Sequence, residues 1–411
     1  MLAKALFDRL ITTGRLTVED ARGRRHVFDG NTSGPHVRIR LHDPSLHHRL
    51  ALRPRLAFGE AYMDGTLTVE DGGSIYDLLG LLIRNQQAAD LGWMSPLGRG
   101  LGTLARPLAQ RNWTRRARRN VAHHYDLSGE LYRLFLDDDR QYSCAYFRSP
   151  ESTLEEAQLD KKHHLAAKLD LRPGQTLLDI GAGWGGLALY MAERFDVTAT
   201  GITLSSEQLA VARERAEKHG ISGRLRFELK DYREIEGPFD RIVSVGMFEH
   251  VGAPFYDVFF RKVRDLLSED GVMVLHSIGR LDPPGDTNPW IQKYIFPGGY
   301  VPALSETLAA VERAGLFVTD IEILRLHYAE TLNEWRRRFL ANRDKIEALY
   351  DQRFCRMWEF YLAASEVGFR YDGLMVFQLQ LTRDITTLPI TREYMVDRER
   401  EISEPGASAA A

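Results

Sequence analysis

Only two cysteines, Cys144 and Cys355, occur among the 411 residues. That is too few for a disulfide framework and points to a reducing, cytoplasmic setting. Long apolar runs are missing too: the longest, near Ile75–Ile83, is too short to span a bilayer. The first ten residues carry no signal pattern, being a short amphipathic stretch interrupted by Lys4, Asp8 and Arg9. Neither charge dominates; 54 basic against 57 acidic side chains leave a net charge of -3, which names no partner. No internal repeat is visible. What remains, 44% apolar and 27% charged, is an ordinary globular composition, long enough for two or three domains.

One stretch organises the rest. Leu177 to Ile180 is an apolar run of the buried-strand type, Gly181, Gly183, Gly185 and Gly186 follow at once, and Leu187 to Phe195 carries helical spacing. A strand, a glycine turn and a helix N-terminus make a cradle for a nucleotide-like ligand, because glycine lets the backbone approach closely. The letters also satisfy the dinucleotide fingerprint, so the glycines alone do not choose a ligand. Two features favour AdoMet over a nicotinamide dinucleotide. Asp179 sits two residues before the first glycine, as in S-adenosylmethionine (AdoMet) methyltransferases. The following strand ends in Gly201-Ile-Thr203, without the acid that a dinucleotide ribose usually requires.

Strand and helix alternate through this region. Strands are expected at 176–180, 197–202, 225–229, 241–245 and 272–276, with helices at 185–195, 205–219 and 254–267. The alternation predicts an α/β fold with a doubly wound, parallel, Rossmann-like sheet, on which ligands bind at the carboxyl ends of the strands. Those ends hold Asp179 to Gly183, Thr203 to Gln208, Asp231-Tyr232, Gly246 to His250 and His276 to Gly279.

On either side, the chain divides into an N-terminal module (1–98), a basic linker (99–120), the catalytic domain (121–397) and a disordered tail (398–411). The module reads as a small α+β unit for docking or dimerisation. Arg99 to Arg119 holds seven arginines and no acid, interleaved with Leu101, Leu104, Leu108 and Trp113. A solvated linker helix and a segment lying on an anionic membrane explain this equally well; nucleic acid is not expected. Leu281 to Tyr300 is expected to be a loop acting as lid or substrate wall.

Several stretches together resemble the cyclopropane-fatty-acyl-phospholipid synthase family, which includes the mycolic-acid cyclopropane synthases. They are His124 to Ser128, Tyr142 to Phe147, Thr153 to Gln158, Leu178 to Gly186, Gly201 to Ser205, Met247 to Gly252 and His276 to Gly279. The N-terminal module is similar to that of the longer, phospholipid-acting members. The resemblance implies that the AdoMet methyl passes to a cis double bond of an unsaturated acyl chain at a membrane surface. The carbocation so formed needs a dry site with aromatic faces, for which Trp290, Tyr294, Phe296 and Tyr328 are the candidates. Ring closure then needs a base. By resemblance that base is a bound bicarbonate, gripped by Cys144, Glu249, His276, the Ile278 amide and Tyr328. The same likeness gives the cofactor Tyr142, Ser143, the turn Gly181, Gly183 and Gly185, then Thr203, Gln208, Asp231 and Tyr232, alongside Asp179. It also implies a homodimer through the N-terminal module. Taken singly, each of these has a bland alternative: a capping Glu, a satisfied core His, a buried Cys. One departure stands out. Where many members carry a cysteine near the C-terminus, this chain has Ser365 followed by Glu366. A methyl-branched or rearranged alkene product is the alternative this opens.

Overall fold

The computed structural model describes residues 4–88 and 128–403. The Gly92–Gly102 linker, the Arg99–Arg119 run and His123 to Leu127 lie outside the described residues. The chain forms two compact units.

Among the described residues, the first unit draws on 4–88, on Asp286–Pro297 and on Ala329–Leu374. Its sheet has the order β2-β1-β3-β4, from β1 (Thr13–Glu19), β2 (Arg25–Asp29), β3 (Thr32–Leu41) and β4 (Leu67–Val69). The β1–β2 turn forms because the Asp20 carboxylate accepts from the amides of Arg22 and Arg24, both at 3.0 Å, while Gly23 takes a positive φ. The segment expected as a loop at Leu281–Tyr300 contains the helix Pro289–Tyr294, capped by Asn288. Trp290 is buried in this unit. Its ring lies against Gly59, where a Cβ would come within 2.5 Å of the indole, and against Phe360 at 4.6 Å between ring centroids. Its N–H donates to the Met63 sulfur. The long helix Gln352–Tyr371, capped by Asp351, buries Cys355, Trp358 and Leu362. On it, Glu366, which follows Ser365, is buried and held by Arg336 at 2.8 Å, so this acid is a paired structural group. The catalytic domain expected as one block at 121–397 is therefore interrupted. Two of its segments fold with the N-terminal module, because their apolar anchors are buried there.

The second unit carries a seven-stranded sheet of order β10-β11-β9-β8-β5-β6-β7. Its strands are β5 (Thr176–Ile180), β6 (Thr198–Thr203), β7 (Leu225–Leu229), β8 (Phe239–Val245), β9 (Leu267–Arg280), β10 (Phe317–Ile323) and β11 (Leu374–Thr382). The pairs β5–β6, β6–β7, β5–β8 and β8–β9 are parallel, as expected. The β10–β11 pair is antiparallel, so the all-parallel expectation fails at this edge and the sheet is mixed. The segment between those strands contributes to the first unit rather than to a crossover helix, and an antiparallel return needs no such helix.

Apolar clusters cover both faces of the sheet. One holds Phe248, Phe259 and Leu275, the other Leu187, Phe195 and Val274. The helix Leu154–Leu169 opens with the expected capping box: Thr153 Oγ1 accepts from the Glu156 amide, and the Glu156 carboxylate accepts from Thr153 N–H. The tail expected to be disordered from 398 is helical over Glu393–Ser403. It is ordered because Ile402 joins the core and Glu399 pairs with His164 and Arg148. The strand order reverses around β5, which opens a crevice at its carboxyl end.

Candidate active site

The turn after β5 is built from backbone that side chains resist. Gly181, Gly183 and Gly185 have φ of 91°, 55° and 84°. A Cβ on Gly185 would also lie 2.7 Å from Phe227. The turn delivers the N-terminus of the helix Gly186–Phe195 to the crevice, and with it uncommitted amides. A cleft of about 1200 Å³, open mouth included, lies over this turn. Every position expected to bind the cofactor except Gly185 lines it; Gly185 shapes the turn from behind.

Each wall is fixed by its own bonds. Thr203 Oγ1 donates to Gln208 Oε1 at 2.8 Å and accepts from the Ser205 amide, and Ser205 Oγ caps the helix Ser206–Lys218 through the Gln208 amide. Gln208 thus serves helix and cleft together. Asp231 is buried and held by Arg233 through two bonds of 2.7 Å, so it presents a neutralised, rigid wall. Beside it, Tyr232 is half of the boundary with the core, its ring edge-on to Phe259, and burial pushes its hydroxyl pKa up. Asp179, one residue before the end of β5, is fully buried. Burial raises its carboxyl to about 7, with Lys161 pulling the other way, and one oxygen has no hydrogen-bond partner among the described residues. Such an orphaned acceptor, amides at a helix N-terminus and a neighbouring hydroxyl fit an amino-acid and ribose ligand. These residues fit AdoMet.

The second group gathers at the ends of β8 and β9. Glu249 lies on the turn Phe248–His250, and its Oε1 accepts from the Ile278 amide at 2.6 Å. Its other oxygen is buried without a hydrogen-bond partner among the described residues, and burial lifts the carboxyl to about 7, against the pull of that amide. The Ile278 amide, expected to grip the ion, is thus engaged with Glu249. His276 pairs with Val245 across the two strands, and its Nδ1 lies 3.1 Å from the side-chain amide of Gln378. Burial first, then nearby cations, keep this imidazole neutral. Cys144 is buried with its thiol on the Ala145 carbonyl at 3.3 Å. Tyr328 is mostly buried at the start of the helix His327–Ala341. Its segment is tied to that of Cys144: His327 Nδ1 accepts from the Phe147 amide at 3.0 Å, and Tyr146 stacks on His327 at 4.7 Å. The structure therefore joins Glu249 and Ile278 directly, places His276 two residues before Ile278 on β9, and links Cys144 to Tyr328 through their chain neighbours. Trp290, Tyr294 and Phe296 belong to the first unit. There Trp290 is core, and the Tyr294 hydroxyl donates to Glu60.

Three residues escaped sequence reasoning. Lys161 is fully buried against the segment 137–144, a strap that carries Tyr142 and Ser143. A lysine in a polar helix reads as solvated, and only its place in the Thr153–Gln158 motif helix hinted otherwise. Gln141 lines the cleft and accepts from Lys161 at 2.8 Å. His250, inside the strand-end stretch Gly246 to His250 but given no role of its own by the sequence, also lines the cleft, held neutral by burial with its pKa near 4.

A seven-stranded sheet with one reversed strand pair, a glycine turn after the first strand and a cleft above it define an AdoMet-dependent methyltransferase. The chain belongs to the mycolic acid cyclopropane synthetase family, whose family model matches residues 112–379. A second model, described only as a domain of unknown function, matches residues 3–89. Over 390 residues the chain is 35% identical to a probable fatty acid methyltransferase of Pseudomonas putida, covering 90% of this chain and 95% of that one. It is 36% identical to the cyclopropane-fatty-acyl-phospholipid synthase of Escherichia coli K12, covering 86% and 90%. Among solved structures, the mycolic acid cyclopropane synthase CmaA1 complexed with SAH and CTAB superposes with a TM-score of 0.62. Identity there is 36%, over 64% of this chain and 97% of the other.

Proposed function

We propose that this protein transfers a one-carbon unit from AdoMet to the cis double bond of a phospholipid acyl chain and closes a cyclopropane ring. The observation that carries this reading is the buried Glu249 carboxyl, oriented by the Ile278 amide and keeping one oxygen unpartnered. Methyl transfer to an alkene leaves a carbocation that must lose a proton, and ring closure takes that proton from the new methyl group, so a base held beside it is required. AdoMet, when bound, supplies an electrophilic methyl. Asp179, Ser143, Thr203 and Gln208 would hold it, and the glycine turn lets backbone amides approach.

The chain's own residues then manage the proton. A bicarbonate ion beside Glu249 is the proposed acceptor. Near a bound anion the raised pKa of Glu249 lets that carboxyl keep a proton and donate it as a hydrogen bond. His276, a neutral imidazole with one ring proton, is a second donor, and Cys144 and Tyr328 complete the set. Ile278 acts on the ion through Glu249. The buried surroundings of these groups favour a dry site, in which a carbocation outlives attack by water.

Expression in a host with unsaturated phospholipids, followed by gas chromatography with mass detection, tests the reading. Ring-bearing chains are expected. Methyl-branched chains would support the second reading, which Ser365 in place of the family cysteine favours. Unchanged lipids would contradict both. We place the enzyme peripherally on the cytoplasmic membrane face through the Arg99–Arg119 run, as a homodimer; no helix among the described residues is long and apolar enough to cross a membrane. Sedimentation with anionic vesicles and analytical ultracentrifugation test those two points.

A further inference from the structure

We propose that Lys161 is a positioning residue that fixes the Ser143 hydroxyl as a hydrogen-bond donor into the cleft, and so selects a ligand bearing a free carboxylate. The inference rests on AdoMet as occupant of the cleft.

Lys161 is 0% exposed, and its ammonium lies 2.8 Å from both Ser143 Oγ and Gln141 Oε1. An ammonium has protons and no lone pair, so it donates in both contacts. Ser143 Oγ must therefore accept from Lys161, and its single proton turns elsewhere. Ser143 lines the cleft, and its carbonyl is already taken by Gln158 Nε2 at 3.0 Å. The hydroxyl proton then faces an acceptor in the cleft. Gln141 is fixed in the same way: its oxygen accepts from Lys161 and its amide nitrogen donates to Asp139 at 2.8 Å. One buried cation thus sets the polarity of two neighbouring groups on the strap.

The charges around it leave the ammonium one task. Asp137 and Asp139 face it from the strap, Lys162 from its own helix, and Cys144 from the strap's end. Asp179 faces it from β5 and His276 from β9. Asp139 is committed to Lys162 and Arg215, and Asp137 to the amides of Asp139 and Gln141. A carboxylate arriving in the cleft would meet a donor hydroxyl backed by a positive charge. An adenosine thioether lacking the amino-acid end would have nothing for that donor to meet. Burial holds Lys161 near 8, so this selection fades as pH rises past that point.

Isothermal titration of the full chain with S-adenosylhomocysteine and with 5′-methylthioadenosine tests the inference. Lys161→Met should weaken S-adenosylhomocysteine roughly 10–100-fold, as loss of a bond backed by a charge does, and leave methylthioadenosine unchanged. Ser143→Ala should show the same selective loss, and the double variant little more than either single one. The wild-type preference for S-adenosylhomocysteine should shrink above the Lys161 pKa and be independent of pH in Lys161→Met. Equal weakening of both ligands, or an additive double variant, would overturn the role given to Lys161 and leave the cofactor reading standing. Failure of the wild-type chain to bind S-adenosylhomocysteine would instead remove the cofactor reading itself. If Lys161→Met does not fold, the wild-type pH dependence decides: a preference for S-adenosylhomocysteine that does not shrink above the Lys161 pKa, or that survives in Ser143→Ala, overturns the role.

Discussion

Replacing Glu249 by Gln should make the apoprotein more stable at alkaline pH while abolishing product. The carboxyl moves from an ordinary 4.5 to about 7 on folding. Below the lower value both states hold the proton and the group contributes nothing. Between the two the folded state keeps a proton that the unfolded chain releases, so stability falls as pH rises. Above about 7 the full cost is present, roughly 3 kcal/mol at ~1.4 kcal/mol per pKa unit. Gln is isosteric and still accepts from the Ile278 amide, so the native hydrogen bond survives. Thermal denaturation should show the variant melting with wild type near pH 4, then roughly 6–12 °C higher near pH 8. S-adenosylhomocysteine binding should be nearly unchanged, because Glu249 lies outside the set that lines the cofactor cleft. A variant no more stable at pH 8 than at pH 4, relative to wild type, would refute the reasoning. The carboxyl would then not be buried at a cost in the folded chain.

Gly185→Ala should destabilise by about 2 kcal/mol or more, since it adds a Cβ at 2.7 Å from Phe227 to a φ of 84°. Gly183→Ala meets open space and should cost only about 1 kcal/mol of backbone strain; equal losses in denaturant titrations would contradict this contrast. Asp179→Asn should repeat the alkaline stabilisation of the Glu249 variant, because burial raises that carboxyl also to about 7, and should weaken S-adenosylhomocysteine in titration calorimetry. At the C-terminal helix, burial alone would lower His164, but bonds to Glu322 and Glu399 raise it. A raised His stabilises fully below its ordinary 6.5, and that contribution is lost as pH climbs through the folded value. Glu399→Gln should accordingly cost most stability below that pH and less above it; a penalty growing with pH would sink the assignment.

The catalytic core was legible because its signals are local. The run Leu177–Ile180, the glycines after it and the capping box at Thr153 each settle their own structure within a few residues. The carboxyl ends of β8 and β9 followed from that alternation, and with them Glu249 and His276. Other features depend on distant partners. Trp290 reads as a lid aromatic until Gly59 and Phe360 are seen against it. The reversed β10–β11 pair reflects a segment between them that packs in another unit. Lys161 carries the residue type least expected inside, and only the opposing Ser143 and Gln141 explain its burial. Helical order at Arg398–Ser403 rests on His164, far back in the chain.

Ring closure is the step for which Glu249 is invoked, and label retention reads it directly. Supplied with AdoMet carrying a fully deuterated methyl group, the enzyme should yield acyl chains whose new cyclopropane carbon holds two deuterium atoms, the third having left with the base. A methyl branch that keeps all three, or chains with no label, would contradict the account.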